Sequence, residues 1–298
     1  MSGILLTFLS SFSTLLKKGI FAFGRDTVNV SLSNLVSDTG VIATDTAGVG
    51  TERRQAAAAS FGGDKAIFAY GITAVNISLS SLLSNTGVFA TDVTGVGTAR
   101  RNPSASPFGG DKAIFIYGYD DVINHSTTNL VSNTGVVSSD TASAATGKRN
   151  AGGSSYGVGK GIFAYGFNTA NISLSNLLSD TGVIATDTAG VGTERRGVSA
   201  SPFGGDKAIF GYGYSTLYGS VTNLVSNTGV VATDTAGVGT GRQGLASSAF
   251  GLNRAIFAYG TDGTNLSMSN LVSDTGVVAS DTTGVGSIRQ LLSANCFS

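Results

Sequence analysis

Residues 56–71 read AAAASFGGDKAIFAYG, and this stretch decides the fold because close variants of it recur along the chain. Its second half, of the type KAIFAYG, begins at Lys18, Lys65, Lys112, Lys160, Lys207 and Arg254. The spacings are 47, 47, 48, 47 and 47 residues, and about 20 residues after each start the chain reads NTGVVATDT or a near variant. A sequence period between about 20 and 50 residues indicates a solenoid, a propeller or another repeat array.

One copy of the repeat contains four strand-like segments, which we call A, B, C and D. In the copy that begins at Arg54 they are residues 56–61, 65–70, 78–83 and 88–92. Gly, Asn, Asp and Ser separate the segments at the short intervals typical of antiparallel hairpins. The repeat therefore predicts an all-β unit of four antiparallel strands.

Segments A and B favour a closed β-propeller over an open stack. The versions of segment A, such as AAAAS and PSASP, consist mostly of Ala, Ser, Gly and Pro. Such small side chains suit the innermost strands of a propeller, which converge on a narrow channel. Segment B is apolar on both faces, with Ala66, Phe68 and Tyr70 on one and Ile67 and Ala69 on the other, so both faces must be covered. We therefore predict a six-bladed β-propeller of four-stranded antiparallel blades.

The two ends of the chain predict how the ring closes. After Arg289 the last copy supplies LLSANCF, which matches segment A, and the first complete segment B spans residues 18–23. Pairing of these segments would make residues 18–298 a single propeller, closed by its N- and C-terminal strands, with no open sheet edge. Residues 4–12 are also strand-like, so two segments compete for this position.

Residues 1–17 form an apolar segment ahead of the propeller. The segment is too short to span a membrane. It also lacks the basic start of a signal peptide, since Lys17 and Lys18 follow the apolar stretch. We interpret it as an extra strand that covers the first blade, and a leader or a membrane anchor are the alternatives.

Composition argues against several function classes. Charged residues make up only 12% of the chain, and 18 cations balance 18 anions, so no overall field attracts nucleic acid or a membrane. His125 is the only histidine and Cys296 the only cysteine, which leaves no His-based triad, zinc site or internal disulfide. Asp38-Thr39-Gly40 resembles an aspartic protease motif, but other copies have Asn before Thr-Gly, as expected of a turn. We expect no catalytic residue, metal or cofactor.

The copies differ in one kind of loop. The B–C loops vary in every copy, at residues 25–30, 72–77, 119–125, 167–172, 214–219 and 261–266. We expect them to lie beside the D–A connections on one face, the loop face. The A–B and C–D turns barely change and should form the opposite, uniform face. Variation on one face of a repeat array is typical of a binding surface, although the sequence leaves open which face binds.

Cations mark every D–A connection. We expect the first cation of each set to form a structural ion pair with the Asp eight residues before it. The expected pairs are Asp45 with Arg53, Asp92 with Arg100, Asp140 with Lys148, Asp187 with Arg195, Asp234 with Arg242, and Asp281 with Arg289. Four copies add a second Arg without such a partner, which is the better ligand candidate. With loop aromatics that could stack on sugars, the candidate ligand-binding residues are Arg54, Arg101, Arg149, Arg196, Tyr119, Phe167, Tyr214 and Tyr218.

An Arg before segment A, a hydrophobic segment B that ends on Gly, and segment D before the next Arg together resemble the Kelch repeat. The resemblance covers residues 18–298, with YG or FG in place of the family's GG and no Trp in segment D. It implies a degenerate Kelch-like six-bladed propeller. The phrases KAIFAYG and NTGVVATDT are also similar to repeat arrays in tailed-phage and environmental viral proteins, which implies a virion or extracellular setting.

These features predict a non-enzymatic structural or binding propeller, part of a larger tail or capsid-associated assembly or displayed outside the cell. Its variable loops would bind a receptor, a glycan or another protein, and neither nucleic acid nor a membrane is an expected partner. A purely architectural virion component that makes contact through the uniform face is the first alternative. A glycan-active hydrolase or lyase is the second, because propellers also carry enzymes.

Overall fold

The structure, a computed structural model, describes residues 16–298, and all of its regular elements are β-strands. They form six three-stranded antiparallel sheets. Within the described residues no helix is long and apolar enough to cross a membrane. The interpretations of residues 1–17 as a strand, a leader or an anchor concern mainly residues 1–15, which lie outside the described residues.

Each sheet contains one copy of segments A, B and C. Sheet 1 contains β18 (Ser293–Phe297), β1 (Lys18–Ala22) and β2 (Ser33–Val36); sheet 2 contains β3 (Ala57–Phe61), β4 (Lys65–Ala69) and β5 (Ser80–Leu83); sheet 3 contains β6 (Ser104–Phe108), β7 (Lys112–Ile116) and β8 (Thr128–Val131). Sheet 4 contains β9 (Gly152–Tyr156), β10 (Lys160–Ala164) and β11 (Ser175–Leu178); sheet 5 contains β12 (Ser199–Phe203), β13 (Lys207–Tyr214) and β14 (Tyr218–Val225); sheet 6 contains β15 (Ala246–Phe250), β16 (Arg254–Thr261) and β17 (Asn265–Val272).

The prediction of four strands per blade is wrong, because segment D does not form a strand. In sheet 3 it pairs with β8 only through single bridges, at Val137 and Thr141. Between them the side chain of Asn129 donates to Ser138 O (3.0 Å) and to Asp140 Oδ1 (2.8 Å). Segment D therefore leaves the ladder, and its aspartate turns toward the junction with sheet 2.

The first strands of the six sheets pack against one another in a closed cycle, from β3 through β6, β9, β12 and β15 to β18 and back to β3. The sheets do not join edge to edge as in a barrel. The C-terminal segment supplies the strand that completes sheet 1, since β18 pairs with β1 in the register Lys18 with Phe297 and Ala22 with Ser293. This answers which of the two competing segments pairs with β1.

The hydrophobic core lies between neighbouring sheets, as the two apolar faces of segment B predict. Ala66 and Phe68 pack against sheet 1, whereas Ile67 and Ala69 pack in a cluster with sheet 3. Tyr70 joins the cluster of Ile67 and not, as its position in the alternation predicts, that of Phe68. Its φ of 65° is left-handed, which breaks the alternation of side chains at the end of the strand.

Small side chains line the central channel, as segment A predicts. The part of the channel that opens toward the A–B turns has a volume of about 200 Å³, and its walls include Ala58, Ser60, Ala105 and Ser154. The strands approach so closely that a Cβ atom on Gly153 would lie 2.5 Å from the carbonyl oxygen of Ala105. Larger residues would therefore push the first strands apart.

Candidate functional site

The first cation of each D–A connection is buried at a junction between two sheets. Arg100 is fully buried; its Nε donates to Tyr117 O (2.7 Å) and its guanidinium to Asn129 Oδ1 (2.6 Å), both in sheet 3. The same guanidinium lies 4.1 Å from the ring centroid of Tyr70 in sheet 2. A cation–aromatic contact in a desolvated site adds stability, so each such residue joins two sheets.

The expected ion pairs are not the ones that form. Each arginine pairs with the aspartate of the following copy, at N–O distances of 3.4 Å for Arg53–Asp92, 3.7 Å for Arg100–Asp140, 3.9 Å for Arg195–Asp234, 3.8 Å for Arg242–Asp281 and 3.4 Å for Arg289–Asp45. Lys148 instead donates to Asn176 Oδ1 (2.9 Å), with Asp187 nearby as a longer-range charge. Each arginine pairs with the aspartate of the following copy because it stands at the end of its own copy and its side chain packs into the next sheet.

The aspartates hold the D–A connections in place. Asp140 accepts hydrogen bonds from the backbone N–H (2.9 Å) and hydroxyl (2.6 Å) of Thr98, the residue that ends a GVGT phrase. Burial by itself would raise the pKa of Asp140, but hydrogen bonds from Thr98 and Asn129 and the charge of Arg100 lower it overall. The equivalent aspartates of the other five copies also have lowered pKa values with the same pattern of causes: Asp45, Asp92, Asp187, Asp234 and Asp281.

The junction at Lys148 departs from the pattern of the Arg100 junction. Ala145 stands where the GVGT or GVGS phrases have a glycine with positive φ, and the hydroxyl of Tyr117 bonds Asn176 Oδ1 (2.7 Å) in place of a loop carbonyl. The cation here is Lys148, and burial lowers its pKa to about 8, against an opposing effect of Asp187.

The loop face contains a depression of about 300 Å³ over the other end of the channel. Its floor is a closed ring of backbone hydrogen bonds in which each N–H donates to the carbonyl of the preceding sheet, with N–O distances of 2.7–3.3 Å. The ring residues, all with positive φ, are Gln55, Asn102, Asn150, Gly197, Gly244 and Leu291. The residue before each of them is one of the second arginines or a glutamine, and Arg196, Gln243 and Gln290 line the depression.

Seven of the eight candidate ligand-binding residues form one continuous array, which we call the cation–aromatic ladder. Its members, in order across sheets 3 to 5, are Arg101, Tyr119, Arg149, Phe167, Arg196, Tyr214 and Tyr218. The guanidinium carbons lie 4.2–5.3 Å from the ring centroids. Arg54 lies outside the ladder, because its bridge partner is Ile72, where the other sheets of the ladder have an aromatic residue.

The second arginines do have protein partners, contrary to the expectation. Each donates to an asparagine of the preceding B–C loop, as Arg149 does to Asn124 (3.1 Å) and Arg54 to Asn29 (2.7 Å). Only Arg101 has a carboxylate partner among residues 16–298, namely Asp121 at 2.5 Å. Burial and the like charges of Arg25 and Arg101 lower the pKa of Arg54, which reflects the positive charge gathered on this face.

The ladder changes the role expected of its aromatic residues. Two guanidinium groups lie over the ring of Tyr119 and two over the ring of Phe167. These contacts compete with a stacked sugar for the ring faces. Since a guanidinium carries five N–H groups in its plane, the groups left for a ligand are the edges of the arginines.

The uniform face is also organised. In three sheets an aspartate of the A–B turn accepts a hydrogen bond from an asparagine of the C–D turn, at 2.8 Å for Asp64–Asn85, 3.1 Å for Asp111–Asn133 and 3.0 Å for Asp206–Asn227. The A–B turns of sheets 4 and 6 lack the aspartate, and sheet 1 has no A–B turn because β18 and β1 come from opposite ends of the chain; the C–D turns of these three sheets have Asp38, Asp180 or Asp274 instead. Comparing the copies pairwise could have found this exchange, which places one carboxylate of the pair in each sheet.

Within the described residues no group of three or more His, Cys, Asp or Glu side chains could hold a metal ion. Comparison of the chain with protein-family models and with the curated proteins finds no match.

Proposed function

We propose that the chain is a six-bladed, Kelch-like β-propeller that acts as a non-enzymatic binding module and recognises its partner on the loop face. The closed cycle of first strands and the arginine before each of them support the propeller. The contrast between uniform turns and variable loops supports the choice of face. A virion or cell surface is the setting that we propose with it.

The cation–aromatic ladder is the observation that carries this proposal. Stacking on rings holds the guanidinium groups in place before a ligand arrives, and preorganised groups lose less entropy on binding. Arg149 and Arg196 each use one side-chain donor, on Asn124 and Asn171, and have no carboxylate partner among residues 16–298. Planar guanidinium edges bind carboxylate, sulfate and phosphate groups in a bidentate manner. The ligand is therefore anionic.

A panel of polyanions tests the proposal: a sulfated polysaccharide, a uronate polysaccharide and polyglutamate, titrated at low and physiological salt. The test variant replaces Arg101, Arg149 and Arg196 with Gln, the residue that already stands at the equivalent positions Gln243 and Gln290. The matched control replaces Lys112, Lys160 and Lys207 with Gln, which removes the same charge from the uniform face of the same three sheets.

We expect the arginine variant to lose at least about tenfold in affinity, equivalent to about 1.4 kcal/mol, and the lysine variant to bind as the wild type does. Equal losses of affinity in both variants would show that the interaction is non-specific charge attraction. Absence of binding to every polyanion would count against an anionic ligand.

A second candidate function, an architectural contact through the uniform face, is favoured by one observation. Every C–D turn exposes a valine to nearly the same degree, 64–66%. These residues are Val41, Val88, Val136, Val183, Val230 and Val277. Exposed apolar groups repeated around a face suit a packed interface. An assembled-particle map with this face at the contact would support it, and the loop face would then be free.

A further inference from the structure

Two exposed apolar loop tips stand on either side of a less apolar loop on the loop face. Val122 and Ile123 of sheet 3 are 80% and 54% exposed, and Leu217 of sheet 5 is 77% exposed. Between them the B–C loop of sheet 4 has Thr169 and Ala170 at its middle positions. Arg149, Phe167 and Arg196 of the ladder belong to the same region, so apolar groups and free guanidinium edges occur together.

The first tip is held in place by its own loop. The carboxylate of Asp120 accepts the backbone N–H groups of Val122 (2.9 Å) and Ile123 (2.8 Å) and lies 2.9 Å from His125 Nε2. Burial acts to raise the pKa of Asp120, but these hydrogen bonds and His125 lower it to about 2, so it stays ionised. The apolar side chains therefore face solvent in a fixed loop.

A long hairpin, with a shift of register between Gly211 and Gly213, holds the second tip. Strands β13 and β14 each have eight residues, against four or five in sheets 1 to 4, and pair as far as Tyr214 with Tyr218. The two tyrosine rings pack edge to face, with their centroids 5.2 Å apart. Leu217 lies at the turn beyond this pair. Its side chain is exposed, and the hairpin holds its backbone in place.

The cations of this region are all arginines. The lysines of strands β1, β4, β7, β10 and β13 begin those strands on the uniform face, and Lys148 is buried. Binding surfaces for proteins are enriched in Arg, Tyr and Phe and depleted in Lys, with apolar groups in the desolvated centre. The mixture of apolar tips, ladder aromatics and arginines favours a protein partner over a polysaccharide, which would offer few apolar groups to Leu217 or Val122.

We propose that sheets 3 to 5 of the loop face bind a protein segment in which one or two carboxylates are flanked by apolar side chains. The carboxylates bind the edges of Arg149 and Arg196, and the apolar side chains pack on Val122 and Ile123 on one side and on Leu217 on the other. Arg101 contributes less, because Asp121 already neutralises it. This inference rests on the proposed function of the loop face and names the class of its partner.

The experiment is a selection of displayed random peptides on the wild-type protein, followed by affinity measurement of the enriched sequences as synthetic peptides. We expect enriched peptides to carry Asp or Glu with apolar neighbours. Arg149→Gln and Arg196→Gln should each weaken binding at least tenfold, Arg149→Lys should weaken it less, and Leu217→Ser should weaken it several-fold. Arg25→Gln, on the loop of sheet 1 and outside the ladder, is the control and should not change the affinity.

The outcomes separate this inference from the proposed function. Enriched peptides without acidic residues, or peptides whose affinity is unchanged in Arg149→Gln and Arg196→Gln, would overturn the inference. Polysaccharide binding that depends on the ladder, with no enriched peptide, would overturn the inference and leave the proposed function standing. If neither peptides nor polyanions bind, both fail. Unchanged circular dichroism and thermal unfolding of each variant would show that it is folded.

Discussion

Asp45 and Arg289 approach to 3.4 Å across the junction where the last copy of the repeat meets the first. Asp45 also accepts the backbone N–H (2.9 Å) and hydroxyl (2.6 Å) of Ser287, and Arg289 lies 4.4 Å from the ring centroid of Tyr259. The contacts repeat those of Asp140 with Thr98 and Arg100 within the chain. The junction that closes the ring is therefore built like the junctions that the backbone crosses.

Replacement of Asp45 with Ala tests this equivalence. It removes the acceptor for Ser287 and Asn34 and leaves Arg289 buried without a carboxylate, so we expect a loss of about 2 kcal/mol in the free energy of unfolding. Asp140→Ala should cost a similar amount in urea unfolding followed by circular dichroism. A negligible effect at Asp45 beside a large one at Asp140 would show that the closing junction contributes little.

Lys148 makes one junction dependent on pH. Its pKa in the folded protein is about 8, below the ordinary 10.5. The unfolded chain therefore binds more protons between these values, and stability rises as pH increases through this window. Relative to Lys148→Arg, which keeps its charge, the wild type should gain about 2 kcal/mol between about pH 7 and about pH 9.5.

The measurement is urea unfolding of both proteins at the two pH values. It stays below pH 10 because the buried Tyr70, Tyr212 and Tyr259 have pKa values raised to about 12, and stability that depends on their neutral form falls as pH rises above 10, the ordinary value. A parallel pH dependence in the two proteins would mean that Lys148 titrates normally.

The second glycine of the GVGT phrase should resist substitution. Gly50 has a φ of 91°, and a Cβ atom there would lie 2.6 Å from Asp92 Oδ1. Gly50→Ala combines backbone strain with displacement of this carboxylate, and we expect a cost of about 2–3 kcal/mol. Gly63→Ala is the control, because its φ of 85° is similar but nothing lies within 4 Å of the added atom. Its cost should be about 1 kcal/mol, and equal melting temperatures for the two variants would contradict the prediction.

The exchange of Asp and Asn on the uniform face predicts coupling between two turns. Asn85→Asp places a second carboxylate beside Asp64, where a 2.8 Å hydrogen bond now lies. We expect a small loss of stability, below about 1 kcal/mol because the site is exposed. Adding Asp64→Asn should restore the stability, and a double-mutant cycle measures the coupling. Additive effects would mean that the exchange has no energetic basis.

Much of the fold could be predicted from the repeat, because segments A and B each obey a single local rule. Small residues indicated the channel, and two-sided apolarity indicated sheets packed on both faces. Segment D could not be predicted in the same way. Its residues suit a strand, but side-chain hydrogen bonds of Asn129 and Asp140 replace the backbone hydrogen bonds that would pair a fourth strand with the sheet.

The sequence predicted which residues belong to the site, but not how these residues interact. The candidate arginines and aromatics do come together, yet their contact is with one another, because D–A connections and B–C loops of adjacent sheets meet. The ion pairs were predicted with the wrong partner, since sequence distance favoured Asp45 for Arg53 where space favours Asp92. The sequence pattern within one copy does not show that a cation pairs with the aspartate of the following copy.

The closed cycle of first strands has a consequence for how the molecule comes apart. An open array can lose its terminal repeat while the rest stays folded, because that repeat has only one neighbour. In a ring every sheet has two neighbours, so releasing any one of them breaks two junctions at once. We expect unfolding without fraying, in a single cooperative transition that begins at no preferred end.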